Sequence, residues 1–127
     1  MKLLLDTNAL LRLHLQSGKL GTKTKTKLEA AKSIFFSPLS FYEILQKQVI
    51  PSHLVSDFLE ATRSVGIQEL PLSAEAVLEV RTFGEIRGRD PFDLMILSQA
   101  RQAGLELLTS DMELLSLKLD FVKDATR

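Results

Sequence analysis

The 127-residue sequence contains no cysteine and no tryptophan, only one tyrosine and two histidines, and no surplus of charge of either sign. The lack of cysteine excludes a disulfide framework and any thiolate metal site, and it fits a reducing compartment. Sixteen basic residues balance sixteen acidic ones. A protein that grips long nucleic acid through counterion release normally carries a basic surplus. Any such contact here must use a local patch, a small substrate or metal-mediated attraction. Neutrality also lowers the solubility of a free particle and so favours a partner or self-association. Long hydrophobic runs are absent as well. The opening "MKLLLDTNALLRLHLQ" is broken at Asp6, too early for a secretory signal, and no stretch approaches the roughly 18 apolar residues that span a bilayer. With 45% hydrophobic and 25% charged residues, the expectation is one soluble, cytoplasmic domain over residues 1–127.

Short apolar runs alternate with helical patterns. "KLLL" (2–5) reads as a buried strand leading into helical "NALLRLHLQSG". "LGTKTKTKLEAAKS" reads as a polar loop that turns helical at a Thr26-x-x-Glu29 capping box. "SIFFS" (33–37) is strand-like, and Ser40 with Glu43 suggests a second box ahead of "FYEILQKQV". "SHLVSDFLEATRSVG" places Leu54, Val55, Phe58, Leu59 and Thr62 on one helical face, expected to be core. "IQELPL" reads as a strand and "SAEAVLEVRTFG" as a helix. "DPFDLMILSQARQAG" is a helix stopped at Gly104, "LELLT" (105–109) a strand, "SDMELLSLKL" a helix and "FVK" a last strand. Alternation of this kind predicts an α/β sandwich, with helices on both faces of a mostly parallel sheet of about five short strands.

In such sheets ligands bind beyond the carboxyl ends of the strands. Four acids fall where a strand has ended or a helix is beginning: Asp6, Glu43, Asp93 and Asp111. Three have an ordinary structural account. Asp90 suits the N-cap of a helix with Pro91 at N1, leaving Asp93 at N3. Glu43 is N3 to Ser40, and Asp111 lies behind Ser110, whose box partner would be Glu113. Asp6 fits that account less well. It ends an apolar strand, where a carboxylate needs compensation, and Thr7 or Asn8 could cap its helix. If the strands are neighbours, the four carboxylates converge, and their repulsion raises pKa values or demands a cation. A hard divalent ion prefers oxygen ligands, and Mg²⁺ takes one or two carboxylates plus waters. His14 and His53 sit in helical patterns away from the strand ends, His14 as a partly buried residue and His53 on the surface.

At these residues the sequence resembles the PIN domain family, and within it the VapC-like toxins of type II toxin–antitoxin systems. The matching motifs are "LLLDTNALL", "SPLSFYEIL", "RDPFDLMILSQA" and "LLTSD", in the family's order and spacing over nearly the whole chain. The resemblance implies a PIN-like α/β/α sandwich and a Mg²⁺- or Mn²⁺-dependent ribonuclease whose acidic pocket comprises Asp6, Glu43, Asp93 and Asp111. Asp6 and Asp93 would be the principal metal ligands. Glu43 would hold a second metal or orient water, and Asp111 would complete the pocket. Thr7, Asn8, Ser40, Thr109 and Ser110 would position carboxylates or waters, with Asp90 as the helix cap and Asp93 both capping and binding metal. The implied partners are an RNA substrate, a cognate antitoxin and a second copy in a homodimer. Relatives often carry His and Trp where this chain has Asn8 and Arg12, and His and Arg where it has Gly88 and Leu94. These departures bear on substrate preference and on the grip on RNA.

Arg87 and Arg89, beside the acids, are candidates for RNA contact or for ion pairs with the same carboxylates. Lys19, Lys23, Lys25 and Lys27 read first as a solvated face. Few rings are present on which bases could stack. Two other readings stand beside the nuclease: a catalytically inactive PIN-fold interaction module whose acids serve as caps, and a phosphohydrolase using Asp6 as nucleophile. The latter wants a second acid at position 8, where Asn8 stands.

Overall fold

The computed structural model describes residues 1–84 and 88–127. Its elements in chain order are β1 (Lys2–Leu5), α1 (Thr7–Leu15), α2 (Thr22–Ala30), β2 (Ser33–Phe36), α3 (Pro38–Lys47), α4 (Val55–Ser64), β3 (Gln68–Glu69), α5 (Ala74–Glu79), α6 (Pro91–Ala103), β4 (Glu106–Thr109), α7 (Met112–Ser116) and β5 (Val122–Asp124). The strands form one sheet in the order β3-β2-β1-β4-β5. Every pairing is parallel, so "mostly parallel" becomes wholly parallel among the described residues.

Burial on both faces explains why the central strands read as continuous apolar runs. Successive side chains of a strand point to opposite faces. Leu3, Leu5 and Leu108 accordingly join Ala9 and Leu10 of α1, Ile44 of α3 and Val55 and Phe58 of α4 in one core. Leu4 and Leu107 join Ile96, Leu97 and Ala100 of α6 and Leu114 of α7 in the other. The helices thus lie on both faces, as expected. Of the predicted apolar face of α4, Val55, Phe58 and Thr62 are buried, whereas Leu54 is exposed.

Two helix starts differ from expectation. Helix α2 begins at Thr22, and its N-cap Gly21 offers no side chain. The Thr24 N–H instead donates to the Arg127 carbonyl (2.9 Å) and the Gly21 N–H to the Ala125 carbonyl (3.0 Å). Thr26 is therefore mid-helix, its hydroxyl donating to the Thr22 carbonyl. Gly21 has an ordinary φ of −74°, and its requirement is space, because a Cβ there would lie 1.9 Å from the Arg127 backbone. Helix α3 begins at Pro38 with Ser37 as N-cap, which places Ser40 and Glu43 inside the helix and removes the proposed box. Strand β3 keeps only Gln68 and Glu69 of "IQELPL". The helix expected through residue 83 continues past Glu79 as a 3-10 turn. No helix among the described residues is long and apolar enough to cross a membrane.

Candidate functional site

The acids gather beyond the carboxyl ends of the central strands. β1 runs into α1 with only Asp6 between them, so the residue that follows the strand is also the N-cap of the helix. Its own N–H still donates to the Leu108 carbonyl (3.1 Å), while its Oδ1 accepts from the Ala9 N–H (2.8 Å). This corrects the expectation that Thr7 or Asn8 caps α1. The Thr109 hydroxyl donates to Asp6 Oδ2. Thr109 in turn accepts from the Asp111 N–H (3.0 Å), and Asp111 Oδ1 accepts from the Glu113 N–H (2.8 Å). Asp111, rather than Ser110, is therefore the cap of α7.

Thr7 and Ser40 are buried and meet across the α1–α3 contact. Thr7 Oγ1 donates to Glu43 Oε1 at 2.6 Å and lies 3.0 Å from Ser40 Oγ. The other oxygen of Glu43 pairs with Lys47 Nζ at 2.7 Å, one turn further along α3. Lys47 also reaches Asp90 Oδ2 at 3.3 Å. Asp90 caps α6 as expected, its Oδ1 accepting from the N–H groups of Phe92 (2.8 Å) and Asp93 (3.3 Å). The Asp93 carboxyl lies near enough to Asp111 for the two acids to interact; its expected capping role falls to Asp90.

The electrostatics follow from this crowding. Burial pushes the Asp6 carboxyl from 3.8 up to about 6 against the opposing hydrogen bonds from Thr109 and Ala9, and the charges of Asp111 and Glu43 add to the rise. Asp93 is driven further, to about 8, first by desolvation, then by the interaction with Asp111 and by the charges of Asp90, Asp111 and Glu43. Asp6 and Asp93 thus feel the same two neighbours, Glu43 and Asp111. Desolvation also works upward on Asp90, but the Asp93 N–H and the Lys47 ammonium outweigh it and hold that carboxyl low. The hydrogen bond to Glu43 raises the Lys47 ammonium.

The remaining sequence candidates divide. Asn8 is exposed and lines a groove with Leu11 and Arg12. Ser110 is half-buried. Arg89 is half-buried and already engaged by neighbouring groups, while Arg87 lies outside the described residues. Lys23 and Lys25 are exposed, and Lys27 pairs with Glu106 at 2.7 Å. Sequence reasoning overlooked Lys47. Its signal was the i, i+4 spacing from Glu43, a spacing that brings opposite charges together on a helix.

A model of the PIN domain family matches residues 3–118. No curated protein matches the sequence significantly. Among solved structures, the chain is similar to one in VapBC-1 from nontypeable Haemophilus influenzae, with a TM-score of 0.76 and 15% identity over the whole of both chains. It is also similar to one in VapBC2 from Rickettsia felis bound to a DNA fragment from their promoter (0.71, 16% identity, 98% of each chain). A toxin–antitoxin complex from Klebsiella pneumoniae gives 0.69 at 20% identity over 96% of each. At these identities the likeness is one of fold, and it agrees with a family match that spans nearly the whole sequence. On that match, the chain belongs to the PIN domain family.

Proposed function

We propose that this chain is a Mg²⁺- or Mn²⁺-dependent ribonuclease of the VapC-like kind, hydrolysing RNA phosphodiester bonds, with an antitoxin protein as its cognate partner and a homodimer as its assembly. One arrangement carries the reading. The fold buries Asp6 and links it through Thr109 to Asp111, sets Glu43 against Thr7 beside it, and brings Asp93 into the same cluster. Burial first and the neighbouring acids second raise the carboxyls of both Asp6 and Asp93. Excess negative charge of this kind is relieved by a cation.

The donor set fits a hard divalent ion, because it consists of carboxylate and hydroxyl oxygens with no sulfur or imidazole. No three acids among the described residues form a ready cage, and Mg²⁺ needs only one or two carboxylates plus waters. Asp6 and Asp93 would be its ligands, with Glu43 and Asp111 orienting water or completing the pocket. Bound there, the ion would supply a more acidic water and charge stabilisation at the phosphoryl oxygens. The protein's own groups do the positioning. Thr109 and the Ala9 N–H fix Asp6, Thr7 and Lys47 fix Glu43, and Asp90 sets the start of α6 so that Asp93 lies near Asp111. The antitoxin partner is supported by the fold's likeness to chains of the toxin–antitoxin complexes named above.

The experiment is a Mn²⁺ titration of metal-stripped protein followed by thermal melting and by cleavage of labelled RNA. Metal binding to the native state should raise Tm by mass action. Asp93→Asn should abolish both the rise and the cleavage while remaining folded. The other PIN-fold reading, an inactive interaction module, draws on the Lys47–Glu43 ion pair, which neutralises one acid without any metal. No rise in Tm at millimolar Mn²⁺ would favour it.

A further inference from the structure

Beside the acid cluster runs a groove of about 460 Å³, lined by Tyr42, Gln46, Lys47, Asp90, Phe92 and Met95 among others. We propose that this groove seats one unpaired nucleobase of the RNA, next to the phosphodiester held at the acids; this inference rests on the ribonuclease reading.

The argument begins with the chain order. On α3 the aromatic Tyr42 directly precedes Glu43, and on α6 the aromatic Phe92 directly precedes Asp93. Consecutive helical residues point about 100° apart, so each helix presents an acid to the cluster and a ring to the adjoining groove. The two rings meet edge to face, with centroids 5.6 Å apart. Tyr42 remains 58% exposed. It is therefore not a core residue, and beyond its contact with Phe92 the ring keeps most of its surface open as a platform on a rigid helix. Lys47 marks the boundary between the two compartments. Its ammonium bonds Glu43 and Asp90 and lies 5.7 Å from the Phe92 centroid. An ammonium has three donors, and the third can reach a phosphate oxygen.

An apolar slot with two rings, bordered by a cation and joined to an acid cluster suited to a metal-bridged phosphate, matches the two halves of a nucleotide. Stacking tolerates any base, because every base has a π-face. Gln46, one turn from Tyr42 on the groove wall, supplies an amide that can read a base edge. The volume lies within the range of small-ligand sites.

The test uses the whole protein with single-stranded RNA carrying 5-iodouridine at successive positions, together with the variants Tyr42→Ala and Tyr42→Phe. Irradiation should crosslink the RNA to the peptide bearing Tyr42 or Phe92 from one position beside the cleavage site. Tyr42→Ala should raise KM for RNA on the order of tenfold with kcat little changed, whereas Tyr42→Phe keeps the wild-type KM. Wild-type cleavage with an unaltered KM in Tyr42→Ala, or crosslinks confined to other peptides, overturns the base site and leaves the nuclease standing. Failure of the wild type to bind or cleave any RNA overturns both. Loss of affinity for a protein partner in Tyr42→Ala, with RNA kinetics intact, assigns the groove to a polypeptide and also overturns it.

Discussion

Asp6→Asn is expected to stabilise the metal-free protein. The buried Asp6 carboxyl is raised from 3.8 to about 6, so the fold favours its protonated form. The sign follows: this group's contribution is complete below the unfolded value of 3.8 and is lost as pH rises through about 6. At roughly 1.4 kcal/mol per pKa unit, the ionised carboxylate costs about 3 kcal/mol once the pH is above 7. Asparagine removes the charge and keeps the geometry. It caps helices as well as aspartate does, its carbonyl oxygen can accept from the Ala9 N–H, and its amide can face Thr109. In EDTA, Asp6→Asn should therefore exceed the wild type by up to about 3 kcal/mol at pH 7.5, or roughly 10 °C in Tm for a chain of this length. The gap should close as the pH falls towards 4. Urea unfolding at a series of pH values measures it directly. A variant no more stable than wild type at pH 7.5, or a gap independent of pH, would refute the claim that Asp6 is ionised at a cost.

Burial depresses His14 below its ordinary 6.5, and the Thr62 hydroxyl, which donates to the Phe58 carbonyl, is left to accept from His14 Nε2 at 3.2 Å. A depressed imidazole contributes stability that is present above 6.5 and lost as pH falls; wild type should weaken relative to His14→Gln between pH 7 and 5.5, and parallel urea curves would contradict this. The buried Ser98 hydroxyl has no hydrogen-bond partner among the described residues, so Ser98→Ala should be neutral or stabilising by about 1 kcal/mol, with a clear fall in the urea midpoint as the contrary result. Gly21→Ala should cost about 1–3 kcal/mol by forcing its Cβ against the Arg127 backbone. Most of that loss should vanish when Arg127 is deleted, and equal losses in both backgrounds would show the clash to be irrelevant.

The central strands were legible because a parallel strand buried on both faces has to be apolar throughout, as "KLLL" and "LELLT" are. Asp90 and Pro91 were legible as a helix start because cap and N1 are adjacent in sequence. The misread starts have two different causes. For α3 the signal was local: Ser37 followed by Pro38 outranks the Ser40–Glu43 pair, and recognising it frees Glu43 from capping. For α2 the signal was not local, since the groups that satisfy its first N–H donors come from the far end of the chain. The same distinction divides the acidic cluster. Each acid's place at a strand end or helix start could be read from neighbouring residues. The Thr109–Asp6 hydrogen bond, the Thr7–Glu43 contact and the Asp93–Asp111 proximity depend on which strands and helices become neighbours.

Because Asp6 joins β1 to α1 with no spare residue, any displacement of its carboxyl must drag a strand end or unwind a helical turn. Asp93 is tied down less firmly, since Asp90 performs the capping at its helix start. Any rearrangement of the acidic cluster should therefore come from the α6 flank, with the Asp6 side held fixed.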